Sequence, residues 1–292
     1  MNTGLTRRLW CKQGALLVGA GALGLPRMFA AAGEPEAAWT LSPEERTLAA
    51  KVLAFAREEK VDFLGVGDMA AAYPTIEAVS GRTIPKMFRL PRVISLAFAK
   101  SDALVDALPR NMAEYGKHDY GTLRPQAQGV ARRLAALLKE EGHRVAFNAP
   151  GIQGLPKMAA RLAGLGWIGR SAMVITPQLG PRVVLEAILT NAPLPVTAKK
   201  PMDCHCDECR RCVDICPAKA YTGELFKETD PLTVRFDAEK CKAWRERRGD
   251  ISVEAACGLC VKVCPYGANT DLLAGAPKVA PPPELMDGGA GH

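Results

Sequence analysis

Nine of the ten cysteines of this 292-residue chain lie between residues 204 and 264. One group has the spacing C-x2-C-x2-C-x3-C-P and consists of Cys206, Cys209, Cys212 and Cys216, followed by Pro217. A later group repeats the second half of this pattern and consists of Cys257, Cys260 and Cys264, followed by Pro265. This spacing is that of bacterial ferredoxins, whose thiolates hold four-iron, four-sulfur clusters.

The two motifs predict two clusters with crossed ligand sets. In two-cluster ferredoxins the last cysteine of a motif ligates the cluster of the other motif. Cluster one is therefore predicted to take Cys206, Cys209, Cys212 and Cys264. Cluster two is predicted to take Cys216, Cys257, Cys260 and, from upstream, Cys241.

Zinc and disulfide bonds are the alternative uses of these cysteines. Zinc sites also contain C-x2-C pairs, but two interlocked C-x3-C-P endings are not typical of them. Cysteines three residues apart, repeated along the chain, are poor disulfide partners. Cys204 is left over, either as a buried thiol or as an alternative ligand.

The N-terminus has the pattern of a twin-arginine export signal. Arg7 and Arg8 precede a short apolar run from Ala15 to Leu25, and an A-x-A cleavage site ends at Ala32. The alternative is a chance Arg-Arg pair before an apolar helix. The run is shorter than the ~20 residues that span a bilayer, so we expect a periplasmic protein without a transmembrane segment after cleavage.

Composition indicates a globular protein without a marked nucleic-acid character. Hydrophobic residues make up 48% of the chain and the formal net charge is +7. The predicted signal contains four of the basic residues and no acidic residue. The remaining chain is only weakly basic, so we expect no nucleic-acid partner.

Alternating helix and strand patterns predict an α/β (α+β) domain over residues 42–195. The predicted helices cover residues 43–59, 125–141 and 156–165, and the predicted strands cover residues 61–66, 92–98, 144–147, 172–176 and 182–190. The last two strands are joined by a hairpin-like turn at residues 177–181. No element is assigned to residues 68–90.

The other predicted segments flank this domain. Residues 1–32 form the signal and residues 33–41 a linker. The double-cluster, ferredoxin-like domain covers residues 196–272, and a tail rich in proline, glycine and alanine, residues 273–292, is predicted to be disordered.

Two segments of the α/β domain carry candidate functional residues. His118, Asp119 and Tyr120 offer proton donors just before a predicted helix, although an aspartate there is often only a cap. The second segment, residues 162–171, is rich in glycine and ends a helix before a strand. Its glycines allow close approach to a ligand or simply a tight turn, and their order is not that of a dinucleotide site.

These segments and the crossed cysteines resemble epoxyqueuosine reductases. The stretches AGLGWIGRS, YGKHDYGTLR and RVISLAF occur in the same order as in that family. The export signal and the stretch GRSAMVITPQLGPRVVLEAILTNAPL look equally like respiratory reductive dehalogenases. The resemblance implies a nitroreductase-like α/β domain, two four-iron clusters and a corrinoid (cobalamin).

The resemblance also implies roles for individual residues. Asp119 would be the proton donor, and Tyr120 is a candidate for the dehalogenase tyrosine. The glycine-rich turn would lie against the corrinoid through Gly164, Gly166, Trp167, Ile168, Gly169 and Arg170. One cluster would reduce the cobalt and the other would relay electrons.

Two functions remain open from the sequence. The first is an exported oxidoreductase that reduces a small molecule, an expectation favoured by Asp119 and the glycine turn. The second is an electron-transfer protein that has lost the corrinoid. It is favoured by residues 148–152, which lack the acidic residues that epoxyqueuosine reductases have there. Both functions require an electron donor, which the sequence does not identify.

Overall fold

The described part of the chain is residues 42–267, apart from residue 82, residues 149–154 and residues 252–254, in a computed structural model. The predicted signal, linker and disordered tail lie outside the described residues, as do residues 149–152 of the segment without acidic residues. None of the helices in the described part is both long enough and apolar enough to span a membrane.

The described helices and strands follow one another as a mixed α/β fold. The helices are α1 Pro43–Glu58, α2 Tyr73–Ser80, α3 Asp102–Asp106, α4 Met112–His118, α5 Arg124–Glu140, α6 Leu155–Leu162, α7 Arg211–Asp214, α8 Ala238–Arg248 and α9 Leu259–Lys262. The strands are β1 Phe63–Asp68, β2 Arg92–Ala99, β3 Val145–Ala146, β4 Trp167–Ile168, β5 Val174–Ile175 and β6 Val183–Thr190. A π-helical turn, Asp119–Leu123, joins α4 to α5.

The main sheet has the antiparallel order β1-β2-β6-β3. β2 and β6 are apolar and buried on both faces, which suits the two central positions, and Ile94 pairs with Ile188 between them. Helices cover both faces of this sheet. α1 and α5 pack on one face and α2 and α6 on the other, each over its own hydrophobic cluster.

The predicted pairing of the strands at residues 172–176 and 182–190 is wrong. The turn between them does close, through two backbone hydrogen bonds between Thr176 and Gly180. However, β5 is only two residues long and pairs with β4 in a separate sheet, whereas β6 joins the main sheet beside β2. The long buried strand gains more contacts in the centre of that sheet than beside a two-residue strand.

The cysteine-rich region packs against helices α3 and α4. Leu108, Met112 and Tyr115 from the first part of the chain share a buried cluster with Trp244 and Leu259 from the cysteine region. The segment that leads into this region is held on β1, because the Thr197 backbone donates to the Val66 carbonyl at 2.9 Å. The two parts therefore form one packed unit around the cysteines.

Candidate active site and cluster cavities

The cysteines predicted for cluster one line a single cavity. Cys206, Cys209, Cys212 and Cys264 surround a space of about 680 Å³. A turn brings the first two together, since the Cys209 N–H donates to the Cys206 carbonyl at 2.8 Å. Cys212 lies on α7, and Cys264 follows α9. Two segments that are distant in the chain thus place these four thiols around the same cavity.

The cysteines predicted for cluster two line a different cavity of about 430 Å³. They are Cys216, Cys241, Cys257 and Cys260. Cys241 comes from α8, the helix between the two motifs. The Tyr221 hydroxyl donates to the Cys260 sulfur at 3.3 Å, and the Ala220 N–H lies 3.5 Å from the Cys216 sulfur.

The donor set of both cavities fits iron–sulfur clusters, because each cavity is lined by four thiols, the ligand type that such clusters use. Burial raises the pKa of the Cys241 and Cys260 thiols, so their protons must leave when iron binds.

Cys204, the cysteine left over by the motifs, lies beside Cys206. Its thiol donates a hydrogen bond that, together with the backbone N–H of Arg170, lowers the pKa of Cys206 to about 6, against the opposing effect of burial. Cys204 is therefore a half-buried neighbour of a predicted ligand rather than an isolated thiol.

A buried ion pair lies in the same cavity as the cluster-two cysteines. Lys100, just after β2, donates from its Nζ to the Asp119 carboxylate, and each of these side chains is only 5% exposed. Burial lowers the pKa of Lys100, and the negative charge of Asp119 acts in the opposite direction. The pair holds a proton at a position where solvent has little access.

Tyr120 and Arg124 line this cavity next to the ion pair. They lie one turn apart, with the Arg124 guanidinium 4.7 Å from the centre of the Tyr120 ring. The π-helical turn supplies this arrangement, because it directs both Asp119 and Tyr120 toward the cysteine region. Single-turn π-bulges are frequent at functional sites. His118, by contrast, does not contribute to the lining of the cavity.

Lys157 is a cavity residue that sequence reasoning missed. It lies on α6 and donates from its Nζ to the Ala172 carbonyl at 2.7 Å. Burial lowers the pKa of Lys157 to about 8. Nothing in the local sequence distinguishes this lysine from one on a solvated helix face, because the charged residues that share its cavity, Lys100, Asp119 and Arg124, precede it by more than thirty residues.

The glycine-rich turn lies elsewhere and packs against protein. Side chains at Gly166 and Gly169 would collide with β5, since a Cβ on Gly169 would lie 2.9 Å from Ile175 Cγ1 and 3.2 Å from the sulfur of Cys206. Arg170 donates to the carbonyls of Gly223 and Asp207 and lines the cluster-one cavity.

These contacts give the turn a packing role beside cluster one. The six predicted corrinoid-binding residues are not part of the lining of the cavity of Asp119 and Tyr120, and Gly164, Gly166, Trp167, Ile168 and Gly169 are buried by the chain itself. A corrinoid contact there stays a prediction that these observations do not support.

Comparison with known proteins identifies the cysteine region. Residues 205–267 match the family described as a 4Fe-4S double cluster binding domain. The prediction of a double four-iron domain in this part of the chain is thereby confirmed. The chain therefore combines a mixed α/β domain with a 4Fe-4S double cluster binding domain.

The chain is similar to epoxyqueuosine reductases. The enzyme of Pseudomonas aeruginosa is 30% identical over 162 residues, which are 52% of this chain and 42% of that protein. The enzyme of Synechococcus sp. strain CC9605 is 31% identical over 204 residues, which are 63% of this chain and 59% of that protein. The match thus spans less than two thirds of the length of each relative. The predicted resemblance to epoxyqueuosine reductases is confirmed.

Solved structures show that the fold is shared with two groups of reductases. The epoxyqueuosine reductase of Bacillus subtilis superposes with a TM-score of 0.52 at 22% identity, over 82% of this chain and 70% of that chain. A reductive dehalogenase, described with a mechanism for B12-dependent dehalogenation, superposes with a TM-score of 0.58 at 21% identity, over 84% of this chain and 35% of that chain. An epoxyqueuosine reductase is also described with a tRNA stem loop.

Proposed function

We propose that the chain is an iron–sulfur oxidoreductase that reduces a small molecule bound between cluster two and the Lys100–Asp119 pair. One observation carries this proposal. The four cysteines predicted for cluster two line the same cavity as the buried ion pair and Tyr120. A source of electrons and a source of protons would thus face one bound molecule.

Electrons would enter through cluster one and reach the cavity through cluster two. The rim of the cluster-one cavity carries exposed residues, among them His205, Asp207 and Glu208, where a donor protein could approach. The two ligand sets are interleaved along the chain, since Cys212 and Cys216 bracket the end of α7. Each cluster supplies electrons one at a time.

The residues of the chain would control the proton. Lys100 holds it at Nζ, hydrogen-bonded to the Asp119 carboxylate. Because burial lowers the pKa of Lys100, transfer of this proton toward Asp119 and the bound molecule costs less than it would from a solvated lysine. Tyr120, on the same turn, is the second candidate donor. The low exposure of Lys100 and Asp119, 5% for each side chain, would limit exchange of this proton with solvent.

A corrinoid does not fit the cavity that the described residues enclose. Its volume of about 430 Å³ must also hold part of cluster two. Pockets for drug-sized ligands run from roughly 300 to 1,000 Å³, and a corrinoid is much larger than such ligands. The proposed reduction therefore passes directly from cluster two to the bound molecule, without the cobalamin that the resemblance implies.

The second candidate function is an electron-transfer protein without a substrate. The exposed rim of the cluster-one cavity favours it, because a carrier needs one cluster close to its surface. The buried Lys100–Asp119 pair favours the reductase, since an electron carrier does not need a proton source deep in a cavity.

We further propose that the protein is exported to the periplasm, on the basis of Arg7 and Arg8 and the apolar run that follows them. Export would separate it from tRNA, so we expect a small-molecule substrate rather than a nucleic acid. Mass spectrometry of the protein recovered from a periplasmic fraction tests this. An N-terminus near Gly33 is expected, and an uncleaved N-terminus in the cytoplasm would contradict it.

The Asp119→Asn variant tests the reductase proposal. Anaerobic protein with both clusters loaded is reduced, mixed with a panel of small-molecule oxidants, and followed by the visible absorbance of the clusters. We expect the variant to accept electrons like the unmodified protein but to lose most substrate-driven reoxidation, because the amide cannot carry the proton from Lys100. Glu141→Gln, which breaks the surface pair with Lys51, is the control. Equal reoxidation of Asp119→Asn and the unmodified protein would leave an electron carrier.

A further inference from the structure

We propose that the cavity of cluster two binds the anionic group of its ligand, a carboxylate or a phosphate, between Lys157 and Arg124. The inference rests on the proposed function, because it specifies the substrate class of that site. Both side chains line the cavity, and they come from different helices, α6 and α5.

Lys157 has donor capacity that faces the cavity. An ammonium group has three protons to donate, and the Ala172 carbonyl takes one of them at 2.7 Å. The residue lies deep among protein atoms, yet it retains part of its accessible surface. Because Lys157 is among the residues that line the cavity, we infer that a ligand there can reach the ammonium group.

Arg124 has a buried donor without a partner. Its Nε is inaccessible to solvent and makes no hydrogen bond within the described part of the chain. Its guanidinium stacks on Tyr120, which fixes its plane at the cavity wall. A buried donor without a partner destabilises the protein, so an acceptor on a ligand that reaches this guanidinium would offset that cost. Planar guanidinium groups suit carboxylates and phosphates in particular.

Positive charge is in excess around this part of the cavity. Besides burial, the positive charges of Arg235 and Arg124 lower the pKa of Lys157, while Cys260 acts in the opposite direction. Arg235 is also buried, and two of its nitrogen atoms lack hydrogen-bond partners among the described residues.

Two carboxylates approach these cations. Asp119 is already paired with Lys100. Glu186 interacts with Arg124 through charge, but it does not provide the missing partner of the Arg124 Nε. The cluster with its thiolates is itself an anion, and the alternative is that the cations serve only to balance its charge. The two hypotheses, binding of an anionic ligand and balance of the cluster charge alone, predict different results when small anions are titrated into the protein.

Calorimetric titration of the anaerobic, cluster-loaded chain distinguishes them. The probes are acetate, inorganic phosphate and acetamide, which is a neutral isostere of acetate. We expect acetate or phosphate to bind and acetamide not to bind. A preference for acetate or for phosphate shows whether the anionic group of the ligand is a carboxylate or a phosphate. Binding of neither anion, or equal binding of acetate and acetamide, would overturn the inference.

Variants of Lys157 localise the binding. Lys157→Met is expected to weaken anion binding by about tenfold or more, because a hydrogen bond to a charged group is lost, and Lys157→Arg is expected to restore most of it. Lys51→Met, on the surface, is the control. Iron content per chain verifies that each variant carries both clusters. Unchanged anion binding in Lys157→Met, with a shift only in the potential of cluster two, would show that the lysine serves the cluster alone.

Failure of this inference and failure of the proposed function can be told apart. If anions do not bind but neutral oxidants still reoxidise the clusters in a manner that depends on Asp119, the reductase stands and its substrate is uncharged. If anions bind but no oxidant is reduced in that manner, the site is real and its role is not reduction.

Discussion

A side-chain hydrogen bond to a predicted cluster ligand is present in the cavity of cluster two. The Tyr221 hydroxyl, which is buried, donates to the Cys260 sulfur in the cavity of cluster two. Hydrogen bonds to ligand sulfurs stabilise the reduced, more negative state of a cluster and so raise its reduction potential. Tyr221 is therefore placed to tune the cluster next to the Lys100–Asp119 pair.

Tyr221→Phe should lower the midpoint potential of cluster two and leave that of cluster one unchanged. The substitution removes the hydroxyl but keeps the ring, which packs 5.2 Å from the ring of Phe236. Redox titration followed by electron paramagnetic resonance measures both potentials. A shift in neither cluster, with full iron content, would show that this hydrogen bond does not reach the cluster.

The sequence could indicate some of the site residues but not others. Asp119, Tyr120 and the cysteines stand in motifs whose spacing carries their chemistry. Lys157 stands in no such motif, because it reaches the cavity only when α6 packs across the sheet. The residues of the glycine turn left a ligand contact and a tight turn open, since glycines allow close approach of either a ligand or a neighbouring strand, and only the resemblance implied the corrinoid.

At the scale of elements, local signals set the boundaries well. Ser42 caps α1, with the Glu45 N–H donating to the Ser42 hydroxyl at 3.1 Å and the Ser42 N–H donating to the Glu45 carboxylate at 2.7 Å. The helix predicted at residues 125–141 is α5, within one residue at each end. Strand pairing was harder to predict from the sequence, because β6 pairs with β2, which lies almost a hundred residues earlier in the chain.

A carboxyl group buried in the main sheet makes the stability of the α/β domain depend on pH. Glu186 lies on the central strand β6, and burial raises its pKa from the ordinary 4.5 to about 7, against the attraction of Arg124. Between these two pH values the folded state holds a proton that the unfolded state has lost. The free energy of unfolding therefore falls as pH rises through this window, by up to about 3 kcal/mol.

Glu186→Gln should remove this dependence. The amide cannot ionise, so the variant should gain stability relative to the unmodified protein as pH rises from 5 to 8. Urea unfolding of both proteins at each pH measures the difference between their free energies of unfolding. Effects of the clusters on stability are common to both proteins and cancel in this difference. Glu114→Gln, on the exposed face of α4, is the control. An equal difference at pH 5 and pH 8 would mean that Glu186 does not titrate in this range.

At the scale of the whole molecule, the cysteine region and the α/β domain depend on each other. Trp244 and Leu259 are buried in one hydrophobic cluster with Val105 of α3 and Met112 and Tyr115 of α4. Arg182 at the start of β6 fixes α3 by ion pairs of 2.7 Å to Asp102 and Asp106. The sheet thus positions α3 and α4, and these helices position the cavity of cluster two and the Lys100–Asp119 pair.

The sequence predicted this architecture only in outline. Motif spacing gave a double-cluster domain after an α/β domain, and the match over residues 205–267 confirms the cluster domain. The shared hydrophobic cluster was not predictable, because its members are scattered over residues 105–263 and only the folded chain brings them together.

The most direct test of the account is the metal content of protein produced without oxygen in a host supplied with cobalamin. Iron, acid-labile sulfide, zinc and cobalt are measured per chain. The account predicts about eight irons and eight sulfides, from two four-iron clusters, without stoichiometric zinc or cobalt. About four irons, or zinc in place of iron, would contradict the two crossed ligand sets. One cobalt per chain would contradict direct transfer from cluster two to the bound molecule.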